Sequence, residues 1–327
     1  MEVLTASVGS YPKIGDGSGR QLHRHAYARW ERGEISNEEF ERIQDQVTEE
    51  VIREQVIAGL DIVTDGQVRW YDPISHIARN IEGCEIDGLL RFFDTNFYFR
   101  QPVIMGRMRR RAPILKREFE FAASVSPRTV KPVITGPYTL ARLSIDRREA
   151  GLSRLVEELS QVASEEVGDL AEAGAKIIQI DEPAILGHPE DLDVLRSSLD
   201  VLSRAGRDAD LILHVYFGDP SRMYSKMLDL PVGALSFDFT YGKDLVGIIE
   251  DTGCDKDLGI GIIDGRNTRM EAEEDVVRKV ESVLEGFRGK RIYLCPSCGL
   301  EYLPRDVAFR KLQNLARIAG RIKEGLA

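Results

Sequence analysis

The sequence predicts an α/β chain of the (β/α)8 barrel class on three observations. Short apolar, β-rich runs alternate with amphipathic helical stretches, the runs number eight, and most end on a polar or reactive residue. No composition shift along the 327 residues marks a linker, so one barrel domain over 1–327 is expected, with an insertion after the second strand at about 80–110. A doubly wound open sheet is the structural competitor, and the even strand count favours closure.

Val3-Leu-Thr-Ala-Ser-Val8 alternates and is broken by Gly9-Ser-Tyr-Pro12, which reads as strand then loop. Ser36 with Glu39 forms a capping box, and Phe40, Ile43, Val47, Val51 and Val56 recur at helical spacing. Leu60 to Asp65 is the second strand, ending at Gly66-Gln67. The aromatic-rich stretch from about Asn80 to Gln101 is read as an irregular insertion packed over one barrel face. Lys131 to Thr135, Ala175 to Asp181, Leu211 to Phe217, Ala234 to Asp238, Leu258 to Asp264 and Arg291 to Leu294 are the remaining strands. Helices are predicted over Ser153–Ala173, Asp191–Ala205, Glu271–Phe287 and Arg305–Lys323.

With 43% hydrophobic residues the chain can bury a substantial core, and a formal charge of −10 argues against nucleic acid or an anionic membrane as partner. The run Arg107, Arg109, Arg110, Arg111 is the local exception and reads first as a solvated loop or helix start. No stretch approaches the ~20 apolar residues of a membrane span, and Met1-Glu2-Val3 leads into a strand-like run rather than a signal peptide, so a cytoplasmic protein is expected. Four cysteines do not make a disulfide framework in a chain of this length. Cys295-Pro-Ser-Cys298 has four competing explanations: zinc, redox, one working thiol with an idle neighbour, or chance. Gly259-x-Gly261 lacks the third glycine of a dinucleotide motif and is set aside.

Ser10, Asp65, Thr135, Asp181, His214, Asp238, Asp264 and Cys298 fall near strand ends, which a parallel barrel gathers at one mouth. Each aspartate alone reads first as a helix cap or turn residue. A lone histidine in an apolar strand such as Leu211-Ile-Leu-His-Val-Tyr216 is more often a satisfied core residue than a ligand. With Cys298 and Asp238 at neighbouring barrel positions, however, a zinc site becomes a candidate, since Zn²⁺ takes N, S and O ligands and deprotonates a bound thiol.

At these strand ends the chain resembles the cobalamin-independent methionine synthase family. The series Val8-Gly-Ser-Tyr-Pro12, Gly59-Leu-Asp-Ile-Val-Thr-Asp-Gly66, Asp94-Thr-Asn96, Gly136-Pro-Tyr-Thr139, Gln179-Ile-Asp-Glu-Pro-Ala184, Leu213-His-Val-Tyr-Phe217, Gly261-Ile-Ile-Asp-Gly-Arg-Asn267 and Ser297-Cys-Gly-Leu300 carries the likeness over nearly the whole chain. The resemblance implies a barrel, catalytic zinc and methyl transfer to the thiol of homocysteine. In a short, single-barrel member it implies a methylcobalamin or corrinoid-protein donor rather than a folate. Carried over by motif, Val8, Gly9, Ser10 and Asp181 would hold the amino-acid part of homocysteine, and His214, Asp238 and Cys298 would hold zinc; Gln67 is a further candidate substrate contact, and Asp181 with Arg266 are the candidate catalytic residues.

Three departures stand out. The family has His-x-Cys where this chain has His214-Val-Tyr216, Gly-Glu where it has Gly66-Gln67, and a histidine in the loop that reads Gly265-Arg-Asn267. Trp70-Tyr-Asp72, Tyr216-Phe217 and Gly265-Arg-Asn267 look more like the family's N-terminal, zinc-free barrel. The alternatives are therefore a non-catalytic barrel partnering a separate catalytic subunit, or a methyltransferase for another small thiol. Cys295 has no secure role.

Overall fold

The first strand, Glu2–Thr5, pairs in parallel with the last, Arg291–Pro296, and this pairing is one side of a closed ring. In a computed structural model that describes residues 1–242 and 244–326, without the Ser18 side chain, the ladder continues strand by strand. Arg291–Pro296 pairs with Asp257–Ile263, then Ala234–Asp238, Asp210–Val215, Ile177–Asp181 and Val133–Thr135. The third strand is one extended run interrupted at Lys131-Pro132. Its first half, Thr129–Val130, pairs with Ile62–Val63, and Ile62 bridges back to Ala6. Every pairing in the ring is parallel, so all eight strands deliver their C-terminal ends to one mouth.

The predicted helices form where periodicity placed them. Asn37–Ile57 starts at Ser36, whose hydroxyl accepts the Glu39 N–H at 3.2 Å, and buries Phe40, Val47, Val51 and Ile52 on one stripe. Leu152–Glu172, Leu192–Ala205, Glu273–Gly286 and Arg305–Leu326 do likewise. Helices Leu22–Glu31, Lys116–Val125, Pro137–Arg142 and Leu245–Thr252 were not anticipated. No helix among the described residues is long and apolar enough to cross a membrane.

The segment expected to be irregular is instead an antiparallel hairpin, Ile81–Arg91 with Tyr98–Arg110. Register shifts between Glu82 and Cys84 and between Asp87 and Leu90 break the two-residue alternation, which hid the strands from the sequence reading. The basic run lies on its second strand. Arg107, Arg109 and Arg111 are exposed as expected, but Arg110 is not solvated. Its Nη1 sits 2.7 Å from Glu166, a carboxylate that also accepts the backbone N–H groups of Ile114 and Leu115 at 3.0 and 2.7 Å.

Glu166 is 2% exposed, so its removal leaves two buried backbone amides without their acceptor and takes one of three carboxylates from Arg110, which keeps Glu165 and Asp169. Glu166→Ala is expected to cost about 3 kcal/mol in denaturant titration. A loss under about 0.5 kcal/mol, the size of an exposed pair, would show that the hairpin base does not depend on it.

Candidate active site

Strand register sets the inner row of the mouth. Thr135 pairs with Asp181, Asp181 with His214, His214 with Ser236 and Ser236 with Gly259. His214 is fully buried. Its Nδ1 lies 2.9 Å from Ser236 Oγ, and its Nε2 has no partner. Burial, then nearby Lys131, pushes the imidazole down to about 3, so it is neutral. Gly259, set aside as a nucleotide motif, has a packing reason: a Cβ there would collide with Ser236 Oγ.

Asp181 is also buried, and its Oδ1 accepts the Gln179 amide at 2.7 Å. Gln179 in turn donates to Val8 O at 2.8 Å and accepts from buried Lys131. Burial raises Asp181 to about 7 against the opposing pull of Gln179 and Lys131, with Glu182 and Glu301 adding to the rise. Glu182 caps the helix Pro137–Arg142 by accepting Tyr138 and Thr139 N–H at 3.0 and 2.6 Å.

The three expected zinc ligands do not converge. Among the described residues the one trio of metal-capable side chains with ligand atoms within 4.8 Å is His188, Glu190 and Asp191, in the loop that follows Ile177–Asp181 and outside the inner row. Asp238 Oδ1 accepts the Thr240 N–H at 2.8 Å and its hydroxyl at 2.6 Å, while Oδ2 has only the Phe217 N–H at 3.5 Å. Cys298 is fully buried, with Sγ 3.4 Å from Gly299 O, and burial followed by Glu301 and Asp238 raises its thiol well above the usual range. The Tyr216 ring stacks on His214 with centroids 5.0 Å apart. His214, neutral with one free nitrogen, has the state a ligand needs. The residues as arranged do not fit a zinc ion. Cys295 lies deeper, its Sγ 3.9 Å from Ser236 Oγ, with its thiol raised by burial to about 11.

Above this layer is a pocket of about 530 Å³, open to solvent and lined by Ser10, Lys13, Gln67, Tyr98, Glu301 and Tyr302 among others. Backbone bonds tie its rim: Tyr11 N–H to Gly66 O at 3.0 Å and Leu300 N–H to Ser10 O at 2.8 Å. Ser10 and Gln67, expected to face substrate, line it; Val8, Gly9 and Asp181 do not. Gly9 instead backs the Gln67 side chain, where a Cβ would approach Nε2 to 3.4 Å. Gln67 holds a left-handed backbone, φ 52°, with its N–H on Asp65 Oδ1 at 3.0 Å. Asp65, Asp238 and Asp264 all accept the N–H two residues on, the turn role weighed for each.

Arg266 serves a tether rather than the inner row. Its guanidinium bonds Asp94 at the hairpin tip at 2.8 Å and the Tyr241 hydroxyl, and lies over the Phe217 ring at 5.0 Å. The sequence reading missed Lys13, Glu301 and Tyr302. Glu301 follows Ser297-Cys-Gly-Leu300 directly, and a carboxylate in the loop after the eighth strand was the available signal.

Comparison with known proteins places this geometry among relatives. The family model described as "Cobalamin-independent synthase, Catalytic domain" matches residues 3–321. A methionine synthase of Saccharolobus solfataricus is 32% identical over 98% of this chain and 95% of its own length. One from Sulfurisphaera tokodaii is 32% identical over 98% and 93%. Among solved structures, a B12-independent methionine synthase from Shewanella sp. W3-18-1 in complex with selenomethionine superposes with TM-score 0.82 at 20% identity, covering 100% of this chain and 99% of that one. A methyltransferase from Methanosarcina mazei gives 0.64 at 16%, covering 98% and 94%; these two likenesses establish the barrel fold.

The neutral His214 makes one prediction. Its ring signal in NMR should stay flat from pH 8 to 5, and a shift centred near ~6.5 would place Nε2 in water. The unfolded histidine binds its proton first on acidification, so this residue's share of stability is lost as pH falls from ~6.5 toward the folded value of about 3. The tether makes another. Arg266→Ala should speed hydrogen exchange across Phe92–Tyr98 by roughly tenfold. Unchanged exchange would mean that aromatic packing alone holds the tip.

Proposed function

Since the chain belongs to the cobalamin-independent methionine synthase family, a family of methyltransferases, we propose that it transfers a methyl group to the thiol of homocysteine, giving methionine. The observation that carries this reading is a pocket of amino-acid size, with Ser10, Gln67 and Glu301 on its walls, at the barrel mouth above His214 and Cys298. A methyl group passes by in-line attack of sulfur on carbon, a step that needs positioning and exclusion of water more than acid–base help. The aromatic cluster Phe92, Phe93, Phe217 and Tyr302 supplies a wall against water beside the pocket. Ser10 would contact the amino-acid head, Gln67 would line the wall beside it, and Asp181, held by Gln179 beneath the pocket, would support the floor.

The zinc implied by the resemblance has no assembled ligand set, so thiol binding in this proposal rests on the chain's own groups. The family description, cobalamin-independent, argues against the methylcorrinoid donor and corrinoid partner expected above. A second reading, a non-catalytic barrel that partners a catalytic subunit, is favoured by one observation. Tyr216 fills the space over His214 where a further ligand would be needed.

Calorimetry with homocysteine, followed by mass-spectrometric assay of methionine against a panel of methyl donors, separates the two readings. Binding in the micromolar to millimolar range usual for enzyme substrates, with methionine formed from at least one donor, is the expected result. Binding of neither homocysteine nor another small thiol, and no methylated product, would leave the partner-barrel reading.

A further inference from the structure

Glu301 carries a buried carboxylate oxygen, Oε2, that has no hydrogen-bond partner. Leaving such an atom without a partner is costly, and more so where the group is charged, so its persistence points to a ligand. The residue stands in the loop after the eighth strand, on the wall of the mouth pocket. Its neighbours narrow what that ligand is. Gly299 lies under both Ser10 Oγ and Glu301 Oε2, since a Cβ there would collide with each, so these two oxygens converge on one spot. The Leu300 N–H bond to Ser10 O, 2.8 Å, fixes the two loops together.

A cation faces them across the same pocket. Lys13 Nζ donates to Val68 O at 3.2 Å and Trp70 O at 2.5 Å, both carbonyls, which leaves the third N–H of the ammonium free and its charge without a carboxylate in contact. Lys13 and Glu301 sense each other electrostatically but form no ion pair within 4.0 Å. Two opposite charges line one pocket and stay apart.

We propose that Glu301, with Ser10, receives the ammonium of an α-amino acid whose carboxylate turns to Lys13, so that this pair and not position 67 reads the zwitterionic head group. The assignment rests on the amino-acid substrate proposed above. Gln67 presents an amide on the same wall and brings no charge. Asp181, the other carboxylate expected to serve, already accepts from Gln179 and lies outside the pocket lining. Burial lifts Glu301 to about 7 against the pull of its own N–H, Tyr302 and Lys13, so in the empty pocket its charge is only partly developed; an incoming ammonium favours the ionised form.

The test compares wild type, Glu301→Gln and Glu301→Asp by calorimetry with four probes: homocysteine, 4-sulfanylbutanoate, which lacks the ammonium, norleucine, which lacks the thiol, and hexanoate, which lacks both. Glu301→Gln is expected to weaken homocysteine and norleucine by roughly tenfold or more and the two carboxylic acids by less than about twofold, while Glu301→Asp keeps most of the binding. A thermal melt matching wild type shows that the isosteric glutamine folds. Equal weakening of all four probes, no weakening of the amino acids, or wild type binding neither amino acid overturns the assignment. Norleucine bound through Glu301 without homocysteine binding upholds Glu301 and removes homocysteine as the substrate.

Discussion

Closure of the ring at its shortest strand is the constraint on which everything at the mouth depends. Ile62–Val63 offers two residues to the ladder, so the seam with the first strand has only the Ser7 N–H to Ile62 O and Asp61 N–H to Thr5 O bonds, at 3.0 and 3.1 Å, from the backbone. Side chains complete it. Asp61 Oδ2 accepts both the Thr5 N–H and the Thr5 hydroxyl, at 2.9 and 3.0 Å, and Asp61 N–H reaches Thr5 Oγ1 at 2.9 Å. Ser7 and Thr64 extend the seam one step toward the mouth, and Thr64 Oγ1 donates to Gly9 O at 2.6 Å. This chain of contacts fixes the first two loops to each other, which sets Ser10 against Gln67. Without the seam, the pocket would have no fixed wall between them.

Inside the ring, the strands bring polar groups into a space with little water, and the low dielectric then decides their states. His214 is held neutral, the Cys295 and Cys298 thiols are held protonated, and Asp181 and Glu301 are lifted into the neutral range. These shifts share one first cause, burial, and differ in what opposes it. Asp181 has Gln179 and Lys131 as counterweights; Glu301 has Tyr302 and distant Lys13. The first network is closed and self-satisfied, and the second leaves an oxygen open.

The same contrast explains what the sequence could disclose. Barrel strands and long helices were legible because their periods, two and 3.6, are written in consecutive residues and were not overridden. The hairpin was not, because its bulges break the period and its pairing runs between Ile81–Arg91 and Tyr98–Arg110 without a short turn signal. At the site, membership of the mouth was legible for Ser10, Gln67, Asp181, His214 and Cys298, since parallel strands gather their ends. Which side chains then meet was not legible. Asp238 was expected on zinc and accepts from Thr240, and Arg266, expected in catalysis, ties down Asp94. Both outcomes turn on rotamers and loop paths that spacing does not encode. Glu301 was not legible because a lone carboxylate three residues past Cys298 carries no periodicity or spacing of its own.

Two levels of the mouth therefore do different physical work. The lower level, with His214, Tyr216 and Cys298, is packed and dry, and its polar atoms are mostly occupied by one another or by the backbone. The upper level is a walled pocket with a hydroxyl, an amide and two separated charges on its surface. Recognition of a charged small molecule needs the second arrangement, since paired charges have nothing left to offer and fully exposed ones are screened by water. Chemistry on a thiol needs the first, since a sulfur nucleophile reacts best where water is excluded. Tyr216 is buried with its ring stacked on the imidazole of His214, so it belongs to the packed level and adds to the burial that keeps that imidazole neutral.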